Sequence, residues 1–142
     1  MRVLGIDVGA RRVGLAISDV TRTLARPLMT LTVNGRNDAV ARVVIEIERL
    51  AAEEDGLAAI VVGLPAKLDG SPNEQTSRVA AFVEALTART RLPIVRMDER
   101  LTSREAEGRL SLRERDWRRR KTRLDAAAAA VILQDYLDRD GR

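Results

Sequence analysis

Asp7 interrupts an apolar, strand-like run, Asp98 and Glu99 close another, and Asp125 opens a run of alanines. A carboxylate among apolar neighbours must be paired, hydrogen-bonded or bound to a metal, because burying it alone is costly. Gly9, just beyond Asp7, lets a ligand or another backbone come close. The plainer role for Asp7 is to cap a turn over Gly9–Arg12. Adjacent strand residues point to opposite sides, so only one of Asp98 and Glu99 can face a given site. Their plainer role is a solvated turn, with Glu99 paired to Arg100 or Arg104. Asp125 shares an apolar helical stripe with Ala128, Ala129 and Ile132. Thr122 and Asp125 also have the spacing of a capping box, in which the acid would only stabilise a first helical turn. Together the three acids could cage one or two Mg²⁺ or Mn²⁺ ions. Two such ions, about 4 Å apart, activate a water and stabilise the leaving oxygen in phosphodiester hydrolysis.

Composition narrows the alternatives. The chain has no histidine and no cysteine. That excludes a Ser-His-Asp triad, an imidazole base, a thiolate nucleophile, disulfides, and zinc held by Cys or His. Enzyme chemistry must fall to carboxylates, hydroxyls, Lys or Arg, with a hard metal as the natural helper. Phe82, Trp117 and Tyr136 are the only aromatic residues, too few for a platform on which bases could stack.

The net charge is +4, and the only lysines are Lys67 and Lys121. The positive charge is therefore almost all arginine, whose fork grips phosphate in two places. This points to a polyanionic partner, a nucleic acid. Arg11 and Arg12 follow Asp7, and Arg100 follows Glu99. Between Leu110 and Arg123, cations including Arg118, Arg119, Arg120 and Lys121 outnumber Glu114 and Asp116. We read that segment as a mobile basic loop that touches strand phosphates beside the metal site; a solvated helix extension is the alternative.

The elements that must bring these residues together are legible in the hydropathy period. With 142 residues the chain is expected to form one domain, 1–142. Arg2 to Val8 alternates, with Leu4, Ile6 and Val8 on one side and Val3, Gly5 and Asp7 on the other. Val13–Ser18 and Pro27–Val33 complete an antiparallel meander. Val40, Val43, Val44, Ile47, Leu50 and Ala51 mark one face of a helix that Gly56 ends. Ala59–Leu64 is a strand, and 67–72 a polar loop. Ser71 with Glu74, and Pro72, start a helix that buries Val79, Phe82, Val83 and Leu86. Leu92–Met97 is a strand, Thr102 with Glu105 caps a short helix, and Leu124–Leu137 is the last helix. Helix-linked strands late in the chain imply parallel pairing. The fold class is α/β: a mixed five-stranded sheet, three strands antiparallel and then parallel, flanked by helices. MRVLGIDVG lacks the apolar stretch of a signal peptide. No run approaches the roughly 20 residues of a membrane span. We expect a cytoplasmic protein without a membrane partner.

Four segments in order resemble the YqgF/RuvX family, nucleases of pre-16S rRNA related to RuvC-type Holliday junction resolvases. They are GIDVGARRVGLAISD, VVGLPAKLDGSPNEQTSRVAAFVEAL, VRMDERLTSREAE and LDAAAAAVILQDYLD, and they cover nearly the whole chain. The resemblance implies a ribonuclease H-like fold. It implies Asp7 as the first-strand metal ligand, Glu99 or Asp98 as the acid of the DERLT motif, and Asp125 as the acid before the alanines. It further implies maturation of the 5′ end of the small-subunit rRNA precursor, or resolution of branched DNA, by a monomer or a homodimer. Two other classes remain open on residue chemistry: a non-catalytic nucleic-acid-binding module, and a phosphotransferase, since a DxG hairpin also opens actin-like ATPases. The latter need two such domains, and this chain has room for one.

Overall fold

The structure is a computed structural model that describes residues 1–64, 74–98 and 117–139, with the side chains of 74 and 117–124 outside that description. The elements are β1 (Arg2–Val8), β2 (Arg12–Ser18), β3 (Ala25–Thr32), α1 (Arg36–Ala52), β4 (Leu57–Leu64), α2 (Glu74–Thr87), β5 (Ile94–Asp98) and α3 (Trp117–Arg139). They form one sheet in the order β3-β2-β1-β4-β5. The meander β1–β2–β3 is antiparallel, and β4 and β5 join it in parallel. The mixed five-stranded sheet expected from the hydropathy period is the one observed. The 67–72 loop, Ser71 and Pro72, and Thr102 with Glu105 lie outside the described residues. No helix among the described residues is long and apolar enough to cross a membrane.

Central strands covered on both faces read as unbroken apolar runs. That is why β1 and β4 carry Val3, Leu4, Ile6, Ile60, Val61 and Val62, all fully buried. Leu4, Ile6 and Val8 face a core shared with α1 and α2, while Val3 faces a second core under α3. The alternation expected along β1 therefore holds. Helix α1 buries Val40, Val43, Val44, Ile47 and Leu50, but Ala51 is exposed at its frayed end. Gly56 does not cap α1 directly. The helix stops at Ala52, and Gly56 (φ 59°) closes the next turn by donating its N–H to the carbonyl of Glu53. Helix α2 buries Val79, Phe82, Val83 and Leu86, as expected.

The two faces are built differently. The α1/α2 face is filled by large side chains, whereas α3 brings Ala126, Ala128 and Ala129 to its interface. Two strand glycines meet it. A Cβ on Gly5 would lie 2.8 Å from Leu133 Cβ and 3.1 Å from the carbonyl oxygen of Ala129, and one on Gly14 would collide with the carbonyl oxygen of Asp125. Helix and sheet thus meet almost backbone to backbone, which only small residues allow. Further along α3, Gln134 brackets the β2–β3 turn. Its Oε1 accepts the Ala25 N–H at 2.9 Å, and its Nε2 donates to the Thr23 carbonyl at 2.9 Å. Asp19 holds the same turn from inside. Its carboxylate accepts the N–H groups of Thr23 at 2.8 Å and Leu24 at 3.2 Å, and the Thr21 hydroxyl at 3.0 Å.

Two outcomes follow. Gly14→Ala is expected to cost about 2–3 kcal/mol, because the added methyl meets backbone that cannot rotate away. A urea denaturation midpoint equal to that of the wild type would contradict this close packing. The second concerns acid. The Thr23 N–H, above all, holds the Asp19 carboxyl below its ordinary value of 3.8. A depressed folded value means that the carboxylate's contribution is complete above the ordinary value and is lost as pH falls through the folded one. Asp19→Asn should therefore flatten the fall of Tm below about pH 4. Identical acid limbs for the two proteins would remove Asp19 from the account.

Candidate active site

Asp7 is the penultimate residue of β1, at the carboxyl end of the strand, and is half-buried. Open α/β sheets bind ligands just beyond the carboxyl ends of their strands. Across the antiparallel pair, Asp7 stands opposite Gly14. Directly opposed residues of such a pair project to the same face. Gly14 is the residue covered by the backbone of Asp125. Asp7 and Asp125, 118 positions apart in sequence, are therefore brought to one patch on the α3 side of the sheet.

The helix reaches this patch by a simple rule of spacing. Asp125, Ala129, Leu133 and Leu137 recur every four residues and so share a face. The last three are buried, with Ala129 and Leu133 over Gly5. Asp125 continues that stripe outward, over Gly14. Its side chain keeps 25% of its exposure, at the rim where the buried stripe ends. The expectation that Asp125 opens its helix is overturned. Helix α3 begins at Trp117, eight residues earlier, so Asp125 lies beyond the first two turns and Thr122–Asp125 is not a capping box. The reading of 110–123 as a loop is corrected in the same way over Trp117–Arg123, which is helical; the alternative of a helix extension describes that part. The error had a physical source. The charged stretch WRRRKTR shows no apolar period from which a helix could be read.

Arg12 completes the patch. The Gly9–Arg12 turn closes with the Gly9 N–H donating to the Arg12 carbonyl at 2.9 Å. A Cβ on Gly9 would lie 2.7 Å from that oxygen, so the turn needs glycine there. Arg12 is two residues from Gly14 on β2, hence on the same face. Its Nε donates to Asp125 Oδ2 at 2.6 Å, a charge-assisted bond between the hairpin and α3. The sequence suggested Arg12 only as a phosphate contact, and its bond to Asp125 was not foreseen. Gly14 was also overlooked, although an isolated glycine inside an apolar strand is a recognisable sign of close backbone approach. Arg11 is exposed on the hairpin, and its carbonyl accepts the Val33 N–H at 2.9 Å.

The remaining candidates divide. Asp98 is exposed and stands beside Leu64 in the parallel β4–β5 register. Leu64 and Ile94 belong to the core on the α1/α2 side, whereas Val95 and Met97 belong to the core under α3. Alternation therefore turns Asp98 to the face opposite Asp7 and Asp125. Glu99 and Arg100 lie outside the described residues. Arg118, Arg119, Arg120 and Lys121 lie in the first turns of α3, with side chains outside the description.

Chemically the patch offers hard carboxylate oxygens from two elements in a chain that has no imidazole or thiolate. That donor set fits Mg²⁺ or Mn²⁺. Asp125 already holds a cationic group, the Arg12 guanidinium, where positive charge is needed. Among the described residues no group of three or more acidic side chains could share an ion, and the third candidate, Glu99, falls outside them.

Known proteins place this arrangement in context. The Chloroflexus aggregans protein named "Putative pre-16S rRNA nuclease" is 43% identical over 136 residues, 96% of this chain and 92% of its own. The Roseiflexus protein of the same name is 39% identical over 137 residues, 96% and 94% of the two chains. Among solved structures, T. thermophilus RuvC in complex with a Holliday junction substrate is similar at a TM-score of 0.51 and 20% identity, over 99% of this chain and 96% of that one. At that identity the likeness speaks for the fold, and it agrees with the ribonuclease H-like architecture expected from the motifs. The family described as "RuvX: Holliday junction resolvase" matches residues 1–139, and with a sheet, a DxG hairpin and an acid-bearing last helix arranged as that family's motifs imply, the chain belongs to it.

Proposed function

We propose that this chain is a nuclease that hydrolyses phosphodiester bonds with the help of Mg²⁺ or Mn²⁺, acting at the 5′ end of pre-16S rRNA. The observation that carries the reading is the meeting of Asp7 and Asp125 over Gly14. Two acids kept on one patch oppose each other unless positive charge intervenes; Arg12 supplies part of it at Asp125, and a divalent cation would supply the rest. Asp7 and Asp125 would hold the metal, joined by Glu99. Glu99 is proposed in preference to Asp98, because Asp98 faces away from the patch. A bound divalent cation supplies an activated water and stabilises the leaving oxygen.

The chain's own residues do the rest. The β1–β2 hairpin and the α3 backbone, packed closely at Gly5 on β1 and Gly14 on β2, fix the separation of the two carboxylates before substrate arrives. The half-buried setting of Asp7 limits the water that competes for it. Arg11 and Arg100 are proposed contacts for the strand's phosphates, with Arg118, Arg119, Arg120 and Lys121 in the first turns of α3. The substrate class rests on the name "Putative pre-16S rRNA nuclease" carried by the Chloroflexus aggregans and Roseiflexus relatives. Branched DNA is the second reading, on the strength of the family's description.

Asp7→Asn preserves shape and removes one negative charge. It should lower metal-stimulated cleavage of a precursor rRNA fragment by at least about a thousandfold, the equivalent of several kcal/mol of lost transition-state stabilisation. Circular dichroism should report an unchanged fold. A folded Asp7→Asn protein that cleaves as fast as the wild type would sink the nuclease reading. Running a four-way DNA junction beside the rRNA fragment decides between the two substrates.

A further inference from the structure

Arg12 and Asp125 are bound to each other at the one place where the proposed site needs Asp125 free for a metal. We propose that Arg12 couples metal uptake to substrate: in the free protein its guanidinium neutralises Asp125, and a backbone phosphate of the nucleic-acid strand draws it off, releasing the carboxylate to the cation. This rests on the reading of Asp7 and Asp125 as cation ligands.

Four observations support it. First, the contact joins β2 to α3 at 2.6 Å and occupies Oδ2, one of only two oxygens that Asp125 can offer. Second, the pair is open. Arg12 keeps 35% and Asp125 25% of their side-chain exposure, so solvent and a ligand reach both. A pair this exposed contributes little to stability and is easily exchanged for a better one. Third, the base of Arg12 is fixed. Its carbonyl accepts the Gly9 N–H, and Gly14, two residues on, is wedged under α3. The guanidinium can therefore move without the hairpin moving. Fourth, Arg11 stands exposed beside it, so a phosphate arriving at the hairpin meets two adjacent arginines. A phosphate suits the planar fork at least as well as a carboxylate does.

The physical consequence is reciprocal. While Arg12 sits on Asp125, the patch is less negative and a divalent cation is bound weakly. When a phosphate holds Arg12, the patch regains its charge, and the cation is bound tightly only where substrate is present. By linkage, the cation must then tighten the strand by the same factor. Such a device would keep a protein with a general affinity for polyanions from carrying a loaded hydrolytic site when no strand is bound.

The test is a calorimetric titration of the full chain with Mn²⁺, alone and with a single-stranded phosphorothioate oligonucleotide that resists hydrolysis, corrected for Mn²⁺ bound by the oligonucleotide itself. For the wild type, the oligonucleotide should lower the Mn²⁺ Kd by about tenfold. Arg12→Ala should bind Mn²⁺ about tenfold tighter than the wild type without oligonucleotide, and gain less than about twofold when it is added. Arg12→Lys keeps the charge without the fork and should fall between the two. An Arg12→Ala protein whose Kd is unchanged or weaker, or whose response to the oligonucleotide matches the wild type, overturns the proposal. Asp125→Asn separates the two levels. If it loses Mn²⁺ while Arg12→Ala changes nothing, only the coupling falls. If it binds Mn²⁺ as the wild type does, the ligand assignment falls, and the coupling with it.

Discussion

Helix α3 rests on the sheet at close to backbone distance, and that spacing governs the rest of the molecule. Gly5 and Gly14 leave the room, and the alanines of α3 occupy it without pushing back. A side chain of ordinary size at either glycine would lift the helix. Asp125 would rise with it, away from Asp7. The small-residue interface is therefore a positional device first and a source of apolar burial second. The larger burial lies on the other face, where Phe82, Leu86 and the α1 valines fill the space under two helices.

This division assigns separate tasks to the two faces. The α1/α2 side supplies most of the driving force for folding, because it removes the larger apolar area from water. The α3 side sets the geometry of the patch. Polar bonds reinforce it where apolar contact is thin. Gln134 grips the β2–β3 turn with both ends of its amide, and Arg12 bridges to Asp125. Gln134 thereby ties the β2–β3 turn to the last helix, while the half-exposed Arg12–Asp125 pair at the other end is a contact that can be exchanged. Ser18, buried among apolar residues, joins in by accepting the Val3 N–H at 2.8 Å.

Much of this was legible in the sequence because period is a strong signal. The alternation in β1, the apolar runs of β4 and the stripe of α1 follow directly from which faces are buried. Strand ends were less legible. β3 begins at Ala25, ahead of Pro27, because Pro27 sits on an edge strand beside a register shift at Leu15/Ala16, where a missing N–H is tolerated. The start of α3 was hidden for a different reason. Its first residues, WRRRKTR, are almost all charged and carry no apolar period to read. The acids were found because each broke an apolar pattern. Their convergence depended on register, which no local pattern records: Asp7 opposite Gly14, and Gly14 under Asp125. The bond from Arg12 joins residues 113 positions apart and was invisible for the same reason.

Because Asp125 lies well inside α3, its orientation is set by every residue between it and the buried anchors at Leu133 and Leu137. Each residue along a helix turns the side-chain direction by about 100°. A single insertion or deletion between Asp125 and Leu133 would swing the acid out of the patch while leaving the helix intact. The same change ahead of Trp117 would leave the acid's direction alone. The family's freedom to vary in length should thus stop sharply at this helix, with drift tolerated on its amino-terminal side and the count from acid to anchor held constant.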